Sequence, residues 1–428
     1  MKLLNYCLIG LTTLLSPAVL SSEINTGDTA WILTATALVL FMTLPGLALF
    51  YGGLVRSQNV LSVLMQCFAI CCIVSVVWVV YGYSLAFTGD GLIIGGTDAF
   101  FLSNLMRDSV SGSLPESLFV VFQMTFAVIT PALVVGAFAE RMRFSAMCIF
   151  TILWVTLVYL PACHMVWGGG YLGRIGVIDF AGGLVVHATC GVGALVAAMM
   201  LGPRKGFPGG SLIPHNRPMV VMGAAMLWVG WFGFNGGSAV AADSSAAMAI
   251  LVTHISAAVG ALTWMLAEWF KTGKPTVGIA TGMVAGLATI TPASGTVGPQ
   301  GAILIGLLAG FVCFYATQMI KVYFKIDDSL DVFPVHGVGG ILGILMLAFV
   351  GKPDGFLGAG AAGFDPSVFE QLMIQLQGVL VICIWTLIFS WIALKITSYV
   401  SDLRVSDENE HEGLDLTEHN ESGYITSG

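Results

Sequence analysis

Charged residues are scarce in this sequence. Asp, Glu, Lys and Arg make up only 9% of its 428 residues, whereas soluble domains carry about 25%. Hydrophobic residues account for 57% of the chain, and the mean hydropathy is +0.91. A chain of this length cannot hide so much apolar surface in a water-soluble core. The composition therefore excludes an ordinary soluble domain and predicts that a lipid bilayer solvates the protein.

Three other signals are missing. The sequence has no basic patch of the kind that binds nucleic acid. Much of the net charge of -8 lies in residues 402–428, which contain one arginine and eight acidic residues. The nine cysteines show no zinc-type or disulfide spacing, so we interpret them as small hydrophobic residues. No HExxH, GxSxG or paired catalytic aspartates lie in an apolar segment. The protein is therefore predicted not to be an enzyme and to carry no cofactor or metal.

Long apolar segments dominate the rest of the chain. About 20 apolar residues are needed to cross a bilayer as a helix. The sequence therefore predicts an all-α polytopic membrane protein with eleven transmembrane helices, at residues 30–53, 61–87, 117–138, 144–163, 182–201, 219–241, 248–270, 276–292, 301–320, 335–350 and 372–400.

The N-terminal residues form a separate segment, MKLLNYCLIGLTTLLSPAVLSSE. One lysine, a short apolar run and then small residues predict a signal peptide over residues 1–21, with cleavage near Ser21. An uncleaved first helix is the alternative. Residues 22–400 then form the eleven-helix domain, and residues 401–428 form an acidic C-terminal tail.

Basic residues predict the orientation, because Lys and Arg in loops stay on the cytoplasmic side. With the mature N-terminus outside, twelve basic residues fall inside, and only Arg107, Arg174 and Lys352 fall outside. We therefore predict a multi-pass protein of the cell (inner) membrane. Its N-terminus lies outside, on the periplasmic side, and its C-terminus lies in the cytoplasm.

Two pairs of motifs indicate an internal repeat. Span one contains FYGG and span six contains FNGG, while span five contains VVHATCG and span ten contains PVHGVGG. Both histidines are followed by a glycine four residues later. Matches at corresponding places in two halves are typical of the inverted repeats that build a transport site at the membrane midplane. The prediction is two five-helix halves of opposite orientation plus one extra helix, around a narrow central pore.

The paired histidines, His187 and His336, stand inside apolar spans. Polar residues there are costly and usually face an interior path. A neutral imidazole offers one donor and one acceptor, and burial favours the neutral form. The pair is therefore predicted to line a route for a small hydrogen-bonding solute, although each ring bonding only to a helix backbone is the alternative. His254, in span seven, has no counterpart and is interpreted as a core or interface residue.

Trp167 lies in HMVWGGG at the outer end of span four. Its ring face suits a cation, but a residue of the interfacial aromatic belt is the alternative that the residues alone favour. Asp179, eight residues before His187, is predicted either to cap the start of span five or to hold a cation. An interfacial or lipid-facing role is also predicted for Trp78, Trp154, Trp264 and Trp269.

Several long motifs occur in order between residues 30 and 415: FYGGLVRSQNVL, VVYGYSLAF, GAFAERMRF, HMVWGGG, DFAGG-x-VVH, WFGFNGGS, TPASG and DVFPVHGVGG. Together they closely resemble the ammonium transporter (Amt/MEP/Rh) family, specifically its bacterial Amt type. The resemblance implies a homotrimer of eleven-helix protomers, each with its own pore.

The resemblance also assigns an outer site for recruiting ammonium. Trp167 of HMVWGGG, Ser238 of FNGGS and Phe126 of FQMTF match its three residues. Asp179 of DFAGG matches an aspartate that supports this site structurally. The resemblance thus reverses the interpretation of Trp167 as a belt residue.

Four residues match the family's pore. Phe126 and Phe234 match two stacked rings that block the pore mouth, and His187 and His336 match the twin histidines beyond them. The implied function is ammonium uptake: NH4+ is recruited outside and deprotonated, and NH3 passes the phenylalanine gate and the twin histidines, with net electrogenic transfer. A passive NH3 or CO2 channel and an ammonium sensor are the alternatives.

The implied partners are ammonium, methylammonium, further copies of the chain, membrane lipids and a PII-type signal protein. The last is expected at the cytoplasmic face and the tail motif HEGLDL, from His411 to Leu416. A solvated acidic tail is the alternative for this segment.

Overall fold

The computed structural model describes residues 23–209, 212–351 and 367–424, and the predicted signal peptide lies outside the described residues. Successive apolar helices run through the chain. They are α1 (Thr26–Leu54), α2 (Ser57–Phe87), α3 (Glu116–Phe138), α4 (Phe144–Arg174), α5 (Gly183–Leu201), α6 (Arg217–Gly237), α7 (Ser244–Thr272), α8 (Gly278–Ala293), α9 (Pro299–Tyr323), α10 (Phe333–Val350) and α11 (Val368–Val400). A hairpin, β1 (Val110–Ser111) and β2 (Leu114–Pro115), precedes α3, and two short helices, α12 (Asp407–Glu412) and α13 (Leu414–His419), follow α11.

The helices confirm the predicted all-α polytopic class, and every predicted span coincides with a helix. Within the described ranges, ten helices are long and apolar enough to cross a membrane, while α8 falls in the shorter class of 10–17 residues. The boundaries differ by a few residues for local reasons. Helix α1 begins at Thr26 because the side chain of Asn25 accepts hydrogen bonds from Gly27 N and Asp28 N and so caps the first turn.

Helices α5 and α10 cross with their backbones in direct contact. A Cβ atom added at Gly191 of α5 would overlap the backbone of Gly337 in α10. Small residues at such a crossing let membrane helices approach without lipid between them. The two helices that carry the repeated histidine motif therefore meet at their glycines.

The large indole rings are distributed differently from the prediction. Trp78 and Trp154 are fully buried, and Trp264 is 5% exposed, so the expected interfacial or lipid-facing role is wrong for these three. The Nε1–H of Trp78 donates to the Val120 carbonyl oxygen at 3.0 Å, and that of Trp154 donates to a Ser390 hydroxyl at 2.9 Å. Inside a membrane protein an indole N–H needs such a partner. These rings therefore join helices together, and only Trp269, 52% exposed, keeps a lipid-facing position.

A network of buried ions lies at one end of the helices, which we call the basic end. Glu140, 1% exposed, lies between α3 and α4 and accepts hydrogen bonds from Arg56 Nε at 3.1 Å, Asn59 Nδ2 at 3.0 Å and the Arg204 guanidinium at 2.7 Å. Arg204 also binds both carboxylate oxygens of Asp327 at 2.9 Å. Burial acts to raise the pKa of Glu140, but Arg204 and Arg56 outweigh it and hold that pKa below its usual value.

The C-terminal segment packs against the basic end. Asp415 accepts hydrogen bonds from the backbone N–H groups of Leu61 at 3.0 Å and Ser62 at 2.7 Å, near the start of α2. Glu418 accepts from the N–H of Phe144 at the start of α4, at 2.9 Å. The first N–H groups of a helix have no partner within the helix, so carboxylates there are stabilising. The acidic residues of the tail therefore cap two membrane helices.

Glu410 fixes the middle of this segment. It is fully buried, and its carboxylate accepts from Arg404 at 2.6 Å and from the backbone N–H of Lys205 at 2.7 Å. A buried carboxylate with two donors is part of the folded structure. The alternative of a solvated tail for residues 411–416 therefore does not describe Asp415, which is 3% exposed, and the adjoining Glu410 is buried as well.

We expect Glu140→Gln to destabilise the protein by about 1.5–3 kcal/mol, because a neutral amide weakens the charge-assisted hydrogen bonds from Arg56 and Arg204, although Asp327 still pairs with Arg204. The wild-type stabilisation should be fully present at neutral pH and should fade as the pH falls below about 4.3, since the pKa of Glu140 is lowered by folding. Thermal unfolding in detergent, followed from pH 7 downwards, measures both effects.

The matched control is Asp402→Asn. Asp402 is 81% exposed and lies 3.8 Å from Arg143, so its ion pair is screened by solvent. The unfolding midpoint of this variant should stay close to that of the wild type. Equal losses in the two variants would contradict the importance of the buried network.

Candidate functional site

A cavity of about 200 Å³ opens at the end opposite the basic end, where α4 finishes. The Trp167 indole N–H donates to the carbonyl oxygen of Asp179 at 2.8 Å, which holds the ring at the cavity wall. Ser238 follows the last residue of α6, and its hydroxyl donates to the Phe234 carbonyl oxygen at 2.8 Å. The lining residues are Phe87, Phe119, Gln123, Phe126, Trp167, Phe180, Ser238 and Val240.

Two phenyl rings lie between this cavity and the interior. Phe126 of α3 and Phe234 of α6 are each 1% exposed, with ring centroids 4.4 Å apart and planes tilted by 38°. The Phe126 ring also meets the Trp167 ring edge-on, at 5.8 Å. On the other side, Phe234 lies 6.1 Å from the ring of His187. Any solute moving from the cavity toward the histidines therefore meets these two rings.

The two histidine rings face each other beyond the phenyl pair. The rings of His187 and His336 lie 5.2 Å apart with planes 26° from parallel, and their Nδ1 atoms are 3.2 Å apart. Both side chains are almost fully buried. The adjoining cavity of about 10 Å³ is roughly the size that one water-sized molecule needs. Apart from the two rings, it is lined by Met42, Leu47, Phe50, Ile129, Leu133, Val186, Leu227, Trp231, Phe234 and Val284.

Asp179 organises the start of α5. Its carboxylate accepts hydrogen bonds from the backbone N–H groups of Gly182 at 3.0 Å, Leu184 at 2.7 Å and Val185 at 3.1 Å, and also from Gly183. Gly182 has φ +113°, a conformation that L side chains rarely adopt. Asp179 therefore acts as a helix cap, and its backbone carbonyl holds Trp167.

The structure brings the predicted site residues into one series. The order is the Trp167 cavity, the two phenyl rings and the two imidazoles, with Asp179 behind Trp167. His254 lies elsewhere, exposed on the outer surface against the rings of Trp228 and Phe232. It is therefore not a core residue.

Trp231 lines the small cavity beside the histidines, and the sequence interpretation did not identify it. Its ring stacks on His187 at 5.4 Å, and its N–H donates to the Thr291 hydroxyl at 2.9 Å. Trp231 and Phe234 are three residues apart in WFGFNGGS, which places both on one face of a helix. This spacing is the feature of the sequence that could have identified Trp231 as a neighbour of Phe234.

These features define a class: a helical multi-pass membrane protein whose interior holds a series of aromatic and imidazole rings next to two cavities. The sequence model of the Ammonium Transporter Family matches residues 30–424, nearly the whole chain. The protein belongs to this family of transporters.

Relatives and solved structures agree with this assignment. The chain is 45% identical to the ammonium transporter of Bacillus subtilis (strain 168), covering 94% of this chain and 99% of the relative. It is 44% identical to a putative ammonium transporter of Methanothermobacter thermautotrophicus, with the same coverage. A solved structure titled Sensor Amt Protein matches with a TM-score of 0.85 at 32% identity over 92% of this chain and 98% of that one. The structure of Mep2 from Saccharomyces cerevisiae matches with a TM-score of 0.82 at 36% identity, over 90% of this chain and 92% of that one.

We expect Asp179→Ala to lower stability by several kcal/mol, because it removes a carboxylate that accepts four backbone hydrogen bonds at the start of α5. Hydrogen bonds to charged groups are each worth about 1.5–3 kcal/mol. Asp179→Asn, which keeps one oxygen acceptor, should fall between the alanine variant and the wild type. Thermal unfolding in detergent ranks the three proteins.

Asp243→Ala provides a control of the same chemistry. Asp243 caps α7 through one hydrogen bond, from the Ala246 N–H at 3.0 Å, so its loss should cost about 1 kcal/mol. A midpoint for Asp179→Ala no lower than that of Asp243→Ala would refute the organising role of Asp179.

Proposed function

We propose that this protein carries ammonium into the cell by recruiting NH4+ at the Trp167 cavity, removing a proton and conducting NH3 past the histidine pair. The observation that carries the proposal is the single series of cavity, phenyl pair and imidazole pair, each in contact with the next. With the predicted orientation, the cavity faces outside and the basic end faces the cytoplasm. Membership of the ammonium transporter family supports the substrate.

The cavity offers groups that suit a small cation. The ring faces of Trp167 and Phe126 attract positive charge, worth about 0.5–2 kcal/mol. The Ser238 hydroxyl donates its own proton to Phe234, so its oxygen lone pairs remain free to accept an N–H of ammonium. One further hydrogen bond adds about 1 kcal/mol net. Such moderate binding allows rapid release, as transport requires.

The passage beyond the cavity favours a neutral solute. Phe126, Phe234 and the apolar residues beside the histidines provide no charge that could replace the hydration of an ion. Moving an ion through such a lining without compensation is very costly. Ammonium can lose its proton to become NH3, whereas potassium cannot. Deprotonation therefore accounts for selection between two cations of equal charge and similar size.

The imidazole pair matches the hydrogen bonding of ammonia. A hydrogen bond between two Nδ1 atoms requires one ring to donate and the other to accept. In neutral rings, one Nε2 is then an acceptor and the other carries a proton. The lumen thus offers one acceptor and one donor, and NH3 can bond to both. We propose that the removed proton crosses separately, so that net transport is electrogenic.

An ammonium concentration jump should generate a current in proteoliposomes on a solid-supported membrane, because each NH3 and proton together transfer one charge. An equal potassium jump should give no such current. Ammonia flux without current would refute electrogenic transport and indicate a passive gas channel, and neither flux nor current would refute transport.

Replacing both His187 and His336 by alanine should reduce ammonium current by roughly tenfold or more, because two hydrogen bonds of about 1 kcal/mol each are lost. Replacing both by aspartate should instead raise potassium current, since carboxylates stabilise a cation in the lumen. His254→Ala, outside the series, is the control and should transport like the wild type. Unchanged ammonium-over-potassium selectivity in both double variants would remove the histidines from the mechanism.

Ammonium sensing is a second candidate. It is favoured by the match to the structure titled Sensor Amt Protein, which covers 92% of this chain. A sensor needs the recruitment cavity but not a conducting path. The same proteoliposome measurement separates the two functions, since a sensor binds ammonium without flux.

Two partners are also proposed. Family membership supports assembly of three copies, and exposed apolar side chains on the outer helices leave surface for other protomers and lipid. A PII-type signal protein is proposed to dock at the cytoplasmic face and the tail around Gly413. The mass of the intact complex in detergent, alone and with a PII-type protein, tests both.

A further inference from the structure

A cysteine lies beside the paired imidazoles. Cys190 follows His187 by three residues on α5, is fully buried, and directs its sulfur toward the His187 carbonyl oxygen at 3.4 Å. The possible ligand atoms of His187, Cys190 and His336 all lie within 4.8 Å of one another. Two nitrogens beside the water-sized cavity and one sulfur outside its lining therefore lie close together.

The nitrogens have a spacing that suits a metal ion. Zinc–nitrogen bonds of about 2.0–2.1 Å place two ligands of a tetrahedral ion about 3.3 Å apart, so the two Nδ1 atoms, 3.2 Å apart, are close enough to share one metal ion. His187 Nε2 is buried and has no hydrogen-bond partner among the described residues. This second nitrogen can take up the proton that a metal ion would displace from Nδ1.

The ligand set selects the class of ion. Thiolate is a soft ligand and imidazole a borderline one, which suits copper(I), silver(I) and zinc. The site is enclosed mainly by apolar side chains, so a net charge there is costly. One thiolate with two neutral imidazoles carries a single negative charge. A monovalent ion makes the site neutral, whereas a divalent ion leaves it positive.

We propose that His187, Cys190 and His336 form a binding site for a soft monovalent metal ion, silver(I) or copper(I), which occupies the path and blocks it. On binding, the ion replaces the hydrogen bond between the Nδ1 atoms. The ring that donated this bond moves its proton to Nε2, and the Cys190 thiol releases one proton as the metal–sulfur bond forms. Metal binding does not depend on the proposed function. Only the block of transport rests on the proposed function.

The test uses full-length protein and silver nitrate in chloride-free buffer, because silver(I) needs no reductant. Bound silver per protomer is measured by native mass spectrometry in the wild type, Cys190→Ala and Cys190→Ser. Both variants should bind one silver ion fewer. The control is Cys313→Ala, since Cys313 is equally buried but lies on α9 and does not belong to the group formed by His187, Cys190 and His336. It should bind as many ions as the wild type.

X-ray absorption at the silver edge identifies the ligands. The difference between wild type and Cys190→Ala should show both nitrogen and sulfur neighbours. Sulfur neighbours alone would overturn the proposal, because the imidazoles would then have no part. Equal silver content in wild type and Cys190→Ala would also overturn it.

Ammonium current gives the functional readout, with each protein compared to its own uninhibited current. Half-maximal block should need at least tenfold more silver in both Cys190 variants, and no more in Cys313→Ala. Zinc nitrate is the divalent comparison. A Cys190-dependent block by zinc at lower concentrations than by silver would overturn the charge argument. If the protein carries no current, the binding and absorption measurements still decide the proposal.

Discussion

The backbone contact between Gly191 and Gly337 determines where the two imidazoles meet. A side chain at Gly191 would overlap Gly337 and force α5 and α10 apart. His187 precedes Gly191 by about one turn, and His336 is the direct neighbour of Gly337, so the separation of the helices sets the separation of the rings. The 3.2 Å distance between the Nδ1 atoms and the water-sized cavity beside them both depend on this crossing.

The helices could be predicted from the sequence because each crosses an apolar solvent, where backbone groups must form their hydrogen bonds within the helix. It was less informative where side chains choose between lipid and protein. A tryptophan such as Trp154 suits both surroundings. Its hydrogen bond to Ser390 joins two helices through residues that are 236 positions apart in the sequence. The buried carboxylates of the tail posed a similar difficulty. An acidic composition normally indicates a solvent-exposed segment. The N–H groups that Asp415 caps belong to residues more than 350 positions earlier in the sequence.

The site residues were accessible to sequence analysis where a motif or a repeat marked them. Phe126, Phe234 and the histidines come from four helices, and neither composition nor periodicity would have placed them in one series. Cys190 shows the limit most clearly. Spacing along the chain gave no metal pattern, because the third ligand, His336, comes from a helix of the other repeat. Only the crossing of α5 and α10 brings these atoms together.

Helix α11 is unusually long, at 33 residues. At 1.5 Å per residue it extends about 50 Å, whereas the hydrocarbon core is about 30 Å thick. It must therefore lean within the membrane or project beyond it. Its last turn leads directly into the segment whose carboxylates cap α2 and α4. Because this helix and the capping segment are consecutive in the chain, the tilt of α11 and the position of the carboxylates that cap α2 and α4 are mechanically connected.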